Sequence, residues 1–440
     1  MSRKDVLKPF EENKIYMDKM ISEGVESNRK GFAEITVKDS DGNPVKDAKI
    51  AVKQKTHEFK YGANIFMLDE LESDEKNELY KKYFSQAFNM ATLPFYWSDL
   101  EPEKGKQRYD KNSPKIYRRP PTDLCMEFCE KNNIEPREHA LAYERFYPDW
   151  LADADVARCK DEYERRCYEI AERYGHKIRT VEVTNEMFWP KGKTAFYKQD
   201  DFVEFSFKTA RKYFKDNRLV INEYAGIWNC NEDVREKYYS YIEKAINNGA
   251  QIDAVGLQFH MFFKKEEELA KTEKYYDPAK LYGTMDLYSE FGKPLQLTEV
   301  TIPAYSNSDE DEWIQAEIIK NLYSMWFSHS NMEQIMYWNL VDGYAAFAPQ
   351  GDMTAGENYY YGGLLRFDLT PKPAYHTICN LFEKVWHTEE KLCTDQNGKT
   401  KFKGFYGKYT AEVYADGKTL SAEFDFSKAG KNDFEIALKQ

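Results

Sequence analysis

Eight short apolar runs recur between Tyr61 and Leu340, each separated from the next by a helical or polar stretch. They are Tyr61 to Phe66, Phe88 to Leu93, Arg137 to Ala142, Thr180 to Asn185, Leu219 to Glu223, Ile252 to Phe259, Leu295 to Glu299 and Gln334 to Leu340. Asp161 to Tyr174 and Asp233 to Asn248 carry apolar residues at helical spacing, as intervening helices require. This alternation predicts an α/β fold, a (β/α)8 TIM barrel whose active face lies where the strands end. Outside the barrel the period shortens to two. Gly31 to Val52 reads as two strands joined by the turn-rich Asp39-Ser40-Asp41-Gly42-Asn43-Pro44, and Lys403 to Leu438 as several more, with turns at Ala415-Asp416-Gly417 and Ala429-Gly430. A lone hairpin is marginally stable, so both termini are expected to build one small accessory β-sandwich. The predicted division is 1–58 for the N-terminal segment and accessory strands, 59–388 for the catalytic barrel and 389–440 for the completing strands. Such a module could bind carbohydrate, but no clustered aromatic platform marks the accessory strands, and a packing accessory is the preferred reading.

Two of the apolar runs end in glutamate: Val181-Glu182-Val183-Thr184-Asn185-Glu186 and Leu295-Gln296-Leu297-Thr298-Glu299. A strand-terminal glutamate is commonly a salt-bridge partner, but two delivered to one barrel mouth can divide acid/base and nucleophile work. Glu186 reads as the acid/base and Glu299 as the nucleophile. The neighbouring Asn185 offers an amide to a sugar hydroxyl. Asn222-Glu223 is a rival amide-acid pair, placed beside the pocket and read as supporting Glu299 or Asn185. His139 and His260 also end apolar strands, as sugar contacts or nucleophile-orienting groups; a lone histidine there is otherwise a satisfied core residue. Trp338 closes the eighth strand and is expected to floor the pocket. No His-x-His or clustered carboxylate spacing supports a metal site, and none is predicted.

The chain has 440 residues and a formal charge of −12, so it lacks the excess of Lys and Arg that a nucleic-acid partner requires. Its 33 Tyr, 28 Phe and 8 Trp suit sugar stacking, although core packing accounts for them equally well. The 7 cysteines lack paired spacing, and free thiols are expected. The first residues, Met1 to Phe10, have no apolar run, and no stretch approaches a membrane span; a cytoplasmic location is the simplest expectation, a secreted one if a leader has been removed. Neither a cofactor nor a membrane partner is expected, and oligomeric state is not legible.

From about Phe59 to Tyr375 the chain resembles glycoside hydrolase family 10, the xylanase-type retaining enzymes. Val183-Thr184-Asn185-Glu186 resembles the family's acid/base segment, Leu297-Thr298-Glu299-Val300 its nucleophile segment, and Gly256-Leu257-Gln258-Phe259-His260 the strand whose histidine braces the nucleophile. Trp97 with Glu101-Pro102, Glu138-His139-Ala140-Leu141 with Pro148-Asp149-Trp150-Leu151, and Pro371-Lys372-Pro373-Ala374-Tyr375 follow in the expected order. The resemblance implies a (β/α)8 barrel and endo-β-1,4-xylanase-like hydrolysis with retention, with Gln258 among the substrate contacts. The departures fall on the glycone side. Leu93-Pro94-Phe95-Tyr96-Trp97 stands where the family places Asn and Lys. His139-Ala140-Leu141-Ala142-Tyr143-Glu144-Arg145-Phe146 stands where it reads His-Thr-Leu-Val-Trp-His-x-Gln. Losing buried donors to substrate hydroxyls costs roughly 1–3 kcal/mol each, so the specificity is expected to be rebuilt while the machinery is kept. Tyr96, Tyr143, Tyr224 and Glu144 join the candidate substrate contacts, with Glu144 and Arg145 available to a decorated or charged sugar. The leading expectation is a retaining β-glycosidase acting on a carbohydrate substrate such as xylan, a xylo-oligosaccharide or a related plant-type glycoside. The alternative is a non-catalytic carbohydrate-binding protein on a degenerate barrel.

Overall fold

The computed structural model describes residues 2–188, 192–228, 232–415 and 417–438. Strands β1 (Lys30–Lys38) and β2 (Lys49–His57) precede the barrel strands β3 (Lys60–Asn64), β4 (Met90–Pro94), β5 (Glu135–His139), β7 (Thr180–Asn185), β8 (Arg218–Glu223), β9 (Ala254–His260), β10 (Leu295–Thr301) and β11 (Met332–Tyr337). A two-residue strand, β6 (Ala142–Tyr143), pairs with the end of β7. The parallel sheet runs β5-β4-β3-β11-β10-β9-β8-β7, and the pairing of β5 with β7 closes it. This is the closed eight-stranded (β/α)8 barrel that the hydrophobic pattern predicts. Strands such as β4, β7 and β10 are buried at every position, which is why they read as near-continuous apolar runs rather than alternations.

The helices pack outside. Among them are α1 (Lys14–Asn28), α2 (Val156–Tyr174), α3 (Glu232–Asn247) and α4 (Asp309–Ser328). Ser308 caps α4 by accepting from the Asp311 N–H, and Asp309, Glu310, Asp311 and Glu312 fill its first turn, where the helix dipole favours negative charge. Helix α1 and the turns before it lie in the stretch read only as an N-terminal segment. They pack on the barrel, with Val6, Leu7, Phe10 and Met17 in its core cluster, while Arg3 pairs with Glu268 at 2.8 Å and with Asp311 at 3.0 Å.

The remaining strands are β12 (Glu389–Cys393), β13 (Lys399–Phe405), β14 (Gly407–Ala415), β15 (Lys418–Phe426) and β16 (Asp433–Ala437). They join β1 and β2 in two sheets, β13-β1-β16 and β12-β2-β14-β15, so each sheet contains strands from both ends of the chain. Between them Ala33, Ile35, Val37, Ile50, Val52, Phe402, Tyr409 and Val413 form a separate core, built from the inward positions of the period-two pattern. Phe424 stacks on Tyr409 at 5.4 Å and packs at a tilt against Phe434 at 4.3 Å, so these rings serve the sandwich interior. Six described cysteines are free thiols, and Cys230 lies outside the described residues. Among the described residues no helix is long and apolar enough to cross a membrane.

Candidate active site

The C-terminal ends of the barrel strands open into a cavity of about 670 Å³, lined on its floor by His139, Asn185, Glu186, Gln258, His260, Glu299 and Trp338. Both glutamates arrive beside irregular backbone. The pairing of β7 with β8 slips between Glu182 and Thr184, and that of β10 with β9 slips between Leu297 and Glu299. Such bulges re-aim the residues that follow, and here they turn the two carboxyls toward one another. Glu186 itself has φ of 52°, the left-handed region that a non-glycine residue enters only when its surroundings hold it there.

Gln258 ties the two together. Its amide nitrogen lies 3.1 Å from Glu186 Oε1 and 3.2 Å from Glu299 Oε1. Those two oxygens can therefore be no farther apart than these two bonds laid end to end, which falls short of the roughly 6.5–9.5 Å of an inverting pair and accommodates the roughly 5–5.5 Å of a retaining one. The same nitrogen is 3.1 Å from Asn185 Oδ1, which also accepts from Asn222 Nδ2 at 3.0 Å. With its oxygen doubly engaged, Asn185 has its amide NH2 left for a ligand in the cleft.

Glu299 is 3 % exposed and accepts from His260 Nε2 at 3.1 Å on its other oxygen. Burial, first, pushes its carboxyl up to about 8; the charges of Glu182 and Glu186 act in the same sense, and those of His139 and Arg137 oppose them. Burial holds the His260 imidazole down at about 4, hence neutral. The Thr301 hydroxyl, 2.9 Å from Nδ1, is able to donate to that nitrogen, an arrangement that leaves the Nε2 proton for Glu299. Beneath Glu299 lies a buried ladder of charge. Arg137 Nη2 pairs with Glu182 at 2.7 Å, Glu182 pairs with His139 Nδ1 at 2.8 Å, and His139 Nε2 is 3.8 Å from Glu299. Burial works against the charge on His139, but Glu182, by attraction and by its hydrogen bond, raises its pKa above the ordinary histidine value. His139, Glu182 and Glu299 bring ligand-type atoms within 4.8 Å of one another, as a metal site would. Arg137 already occupies Glu182, so the geometry is that of an ion-pair chain.

The other predicted residues divide. Tyr143 donates its phenol proton to Glu186 Oε2 at 2.7 Å. Tyr96 meets His139 Nε2 through its hydroxyl at 3.0 Å. Trp338 is 8 % exposed and stands edge-on to His139 and His260, while Tyr224 sits 38 % exposed at the mouth. Glu144 corrects the expectation of a sugar contact. Its carboxylate turns away from the cleft and accepts from the Thr194 N–H and hydroxyl, so it anchors the next loop. The rival Glu223 is fully buried and spends its oxygens on the backbone N–H groups of Met187 and Tyr224, while Asn222 spans Glu182, Asn185 and Glu299. Trp97 and Glu101 bond each other at 2.9 Å, and Arg165 grips Glu101 at 2.8 Å, a structural clamp behind the wall. Sequence reasoning missed Glu182 and Arg137, hidden inside strand runs, and Arg118 and Arg119 on an irregular segment; the dipeptide Arg118-Arg119 before Pro120-Pro121 was the one visible sign of the latter.

A second cavity, of about 410 Å³, lies at the opposite end of the barrel against the sandwich. Its lining ions Lys60 and Glu135, and Arg218 and Glu333, already pair with each other.

Endo-1,4-beta-xylanase 1 of Arabidopsis thaliana is 24 % identical over 390 residues, covering 85 % of this chain and 35 % of that protein. Anti-sigma-I factor RsgI6 of Acetivibrio thermocellus is 24 % identical over 413 residues, covering 90 % and 46 %. The chain thus spans less than half the length of these curated relatives. Among solved structures, native xylanase 10B from Thermotoga maritima matches with a TM-score of 0.60 at 20 % identity, covering 74 % of this chain and 96 % of that one. A Paenibacillus barcinonensis GH10 structure gives 0.58 at 22 %, covering 74 % and 95 %. The model of Glycosyl hydrolase family 10 matches residues 52–381, three-quarters of the chain, and the chain belongs to that family.

Proposed function

We propose that the protein is a retaining glycoside hydrolase that cleaves β-linked plant-type saccharides of the xylan kind by double displacement. The single observation that carries this reading is the Gln258 amide lying between Glu186 and Glu299, which brackets both carboxyls around one point in the cleft. In the first step Glu299 attacks the anomeric carbon as the Glu186 proton passes to the leaving oxygen. The C–O bond to the aglycone breaks and a glycosyl ester forms. In the second step Glu186, now a carboxylate, takes a proton from water, whose oxygen displaces Glu299 with net retention. The donors on Glu299 from Gln258, His260 and Asn222, and the His139 ring behind it, oppose the burial that raises its carboxyl. When Glu186 holds the proton this step needs, its repulsion of Glu299 is gone, which removes one of the charges that raise the Glu299 carboxyl. The free amide of Asn185 faces the position of a sugar 2-hydroxyl. The family membership and the xylanase relatives support the substrate class.

The test is proton NMR of the first-formed anomer from an aryl β-xyloside and from xylo-oligosaccharides. The expected product is the β-anomer. An α-anomer first, or hydrolysis no faster than a Glu186→Gln/Glu299→Gln double variant across xylosides and glucosides, overturns the reading. In the single variant Glu186→Gln, substrates with poor leaving groups should lose about 10²–10⁴-fold and good leaving groups far less.

A further inference from the structure

The glycone wall of the cleft is cationic, although the chain as a whole is acidic at −12. Arg118 and Arg119, which precede the helix at Thr122–Lys131, line the cavity together with Arg145 after β6; outside the catalytic pair the one carboxylate among its described lining residues is Glu357. Arg119 is 8 % exposed, and its guanidinium lies 4.1 Å above the Tyr96 ring, 5.2 Å from the Phe146 ring and 5.5 Å from the Phe66 ring. Its Nε is held by Asp99 at 2.7 Å and its Nη1 by the Arg118 carbonyl at 2.9 Å. Among the described residues Nη2 has no hydrogen-bond acceptor. Arg118 is 3 % exposed, sits at a left-handed φ of 62°, and directs its terminal nitrogens at the Tyr344 carbonyl and Asn339 Oδ1. Its Nε has no partner, and no described carboxylate lies within ion-pair distance of it. Asp99 thus balances Arg119, while Arg118, in a desolvated wall, meets its nearest carboxylate, Glu357, only at one remove through Asn339.

A neutral hydroxyl gains little from such a wall. A guanidinium charge without a direct ion pair, behind an open guanidinium donor, is suited to an anion, and the planar fork of arginine favours a carboxylate. The wall also lies close to the chemistry, since the Tyr96 hydroxyl touches His139, itself 3.8 Å from Glu299. We propose that this wall is a subsite for a carboxylate carried on the glycone, a hexuronic acid residue of the saccharide, with Arg119 Nη2 as the direct donor and Arg118 supplying the field. The proposal names the substrate class of the site above and rests on its reading as a glycoside-binding cleft.

The test separates binding from turnover. In the Glu299→Gln protein, calorimetry compares a glucuronic-acid-substituted xylotriose with unsubstituted xylotriose and a sulfated counterpart. The expected result is at least tenfold tighter binding of the uronate at low salt, a gap that narrows with added salt and shrinks at least fivefold when Arg119→Gln is introduced. Arg119→Lys, which keeps the charge without the fork, should fall between and serves if Arg119→Gln does not fold. Equal affinities for uronate and neutral ligand, equal weakening of both by Arg119→Gln, or tighter binding of the sulfate overturns the proposal. A uronate preference in a protein that hydrolyses no glycoside leaves the subsite standing and sinks the hydrolase reading. Hydrolysis without that preference does the reverse.

Discussion

The cleft is built from two unlike regions. Its floor, from His139 through Asn185, Gln258 and His260 to Glu299, is carried on barrel strands or their immediate ends, where the sheet fixes the backbone on both sides. Its side wall, from Arg118 and Arg119 through Tyr143, Arg145 and Phe146 to Phe347, stands mostly on connecting segments, with left-handed residues at Arg118 and Phe347. The floor matches the segments that carry the family resemblance, and the wall departs from them. Groups that move a proton or a bond must be held within fractions of an ångström, which strands do well, while groups that choose a substrate can be replaced loop by loop without disturbing the barrel.

The sharpest way to break this contrast is at Glu299. Glu299→Ala should lower turnover of every glycoside by on the order of 10⁵-fold, and azide should restore activity on activated aryl glycosides with inverted product, read by NMR. A loss confined to some substrates would make Glu299 part of the wall. Next comes the ladder under the floor. Glu182→Ala leaves Arg137 as a buried charge without its partner and takes from His139 the carboxylate that favours its proton, and should destabilise the fold by about 3–5 kcal/mol in chemical denaturation. A loss under 1 kcal/mol would mean that the floor does not depend on its charge chain.

The smallest effect concerns pH. The Glu299 carboxyl rises from 4.5 to about 8 on folding, so the folded chain holds its proton more tightly than the unfolded one. The resulting stability is fully present below pH 4.5 and is lost as pH rises through 8. Glu299→Gln removes this dependence. It should gain on the order of 1–3 kcal/mol over the parent near pH 7, and nothing near pH 4, in denaturation curves at the two pH values. An equal difference at both would assign the effect to packing.

The same contrast explains what could be read from the sequence. Most barrel strands were visible because burial on both faces favours near-continuous apolar runs, β5 with its Glu135-Pro136-Arg137-Glu138-His139 being the exception, and Glu186 and Glu299 were visible because each ends such a run. Asn222 was placed correctly as a supporting residue by its position one strand over. Glu182 was not singled out, since an inward carboxylate amid Val181 and Val183 shows no partner until Arg137 and His139 arrive from β5, more than 40 residues earlier. Glu144 misled because a charged residue in a loop near the site has two directions to face, and only the fold of the following segment set it against Thr194. Helix α1 escaped because its apolar stripe of Met17, Met20, Ile21 and Val25 is short, only Met17 is buried, and the exposed Ile15 and Tyr16 blur the pattern. Arg118 and Arg119 sit on a segment without period, where no pattern says which side chains turn inward.

The interleaved sandwich carries a consequence for biosynthesis. Strand β1 pairs with β13 on one side and β16 on the other. At about 5–20 residues per second on the ribosome, β1 therefore waits for tens of seconds with both edges unsatisfied while the whole barrel is made. Throughout that interval the nascent chain displays an open strand of the kind that recruits other chains, so release of the finished protein should depend on chaperone shielding of β1 more than on the speed at which the barrel itself closes.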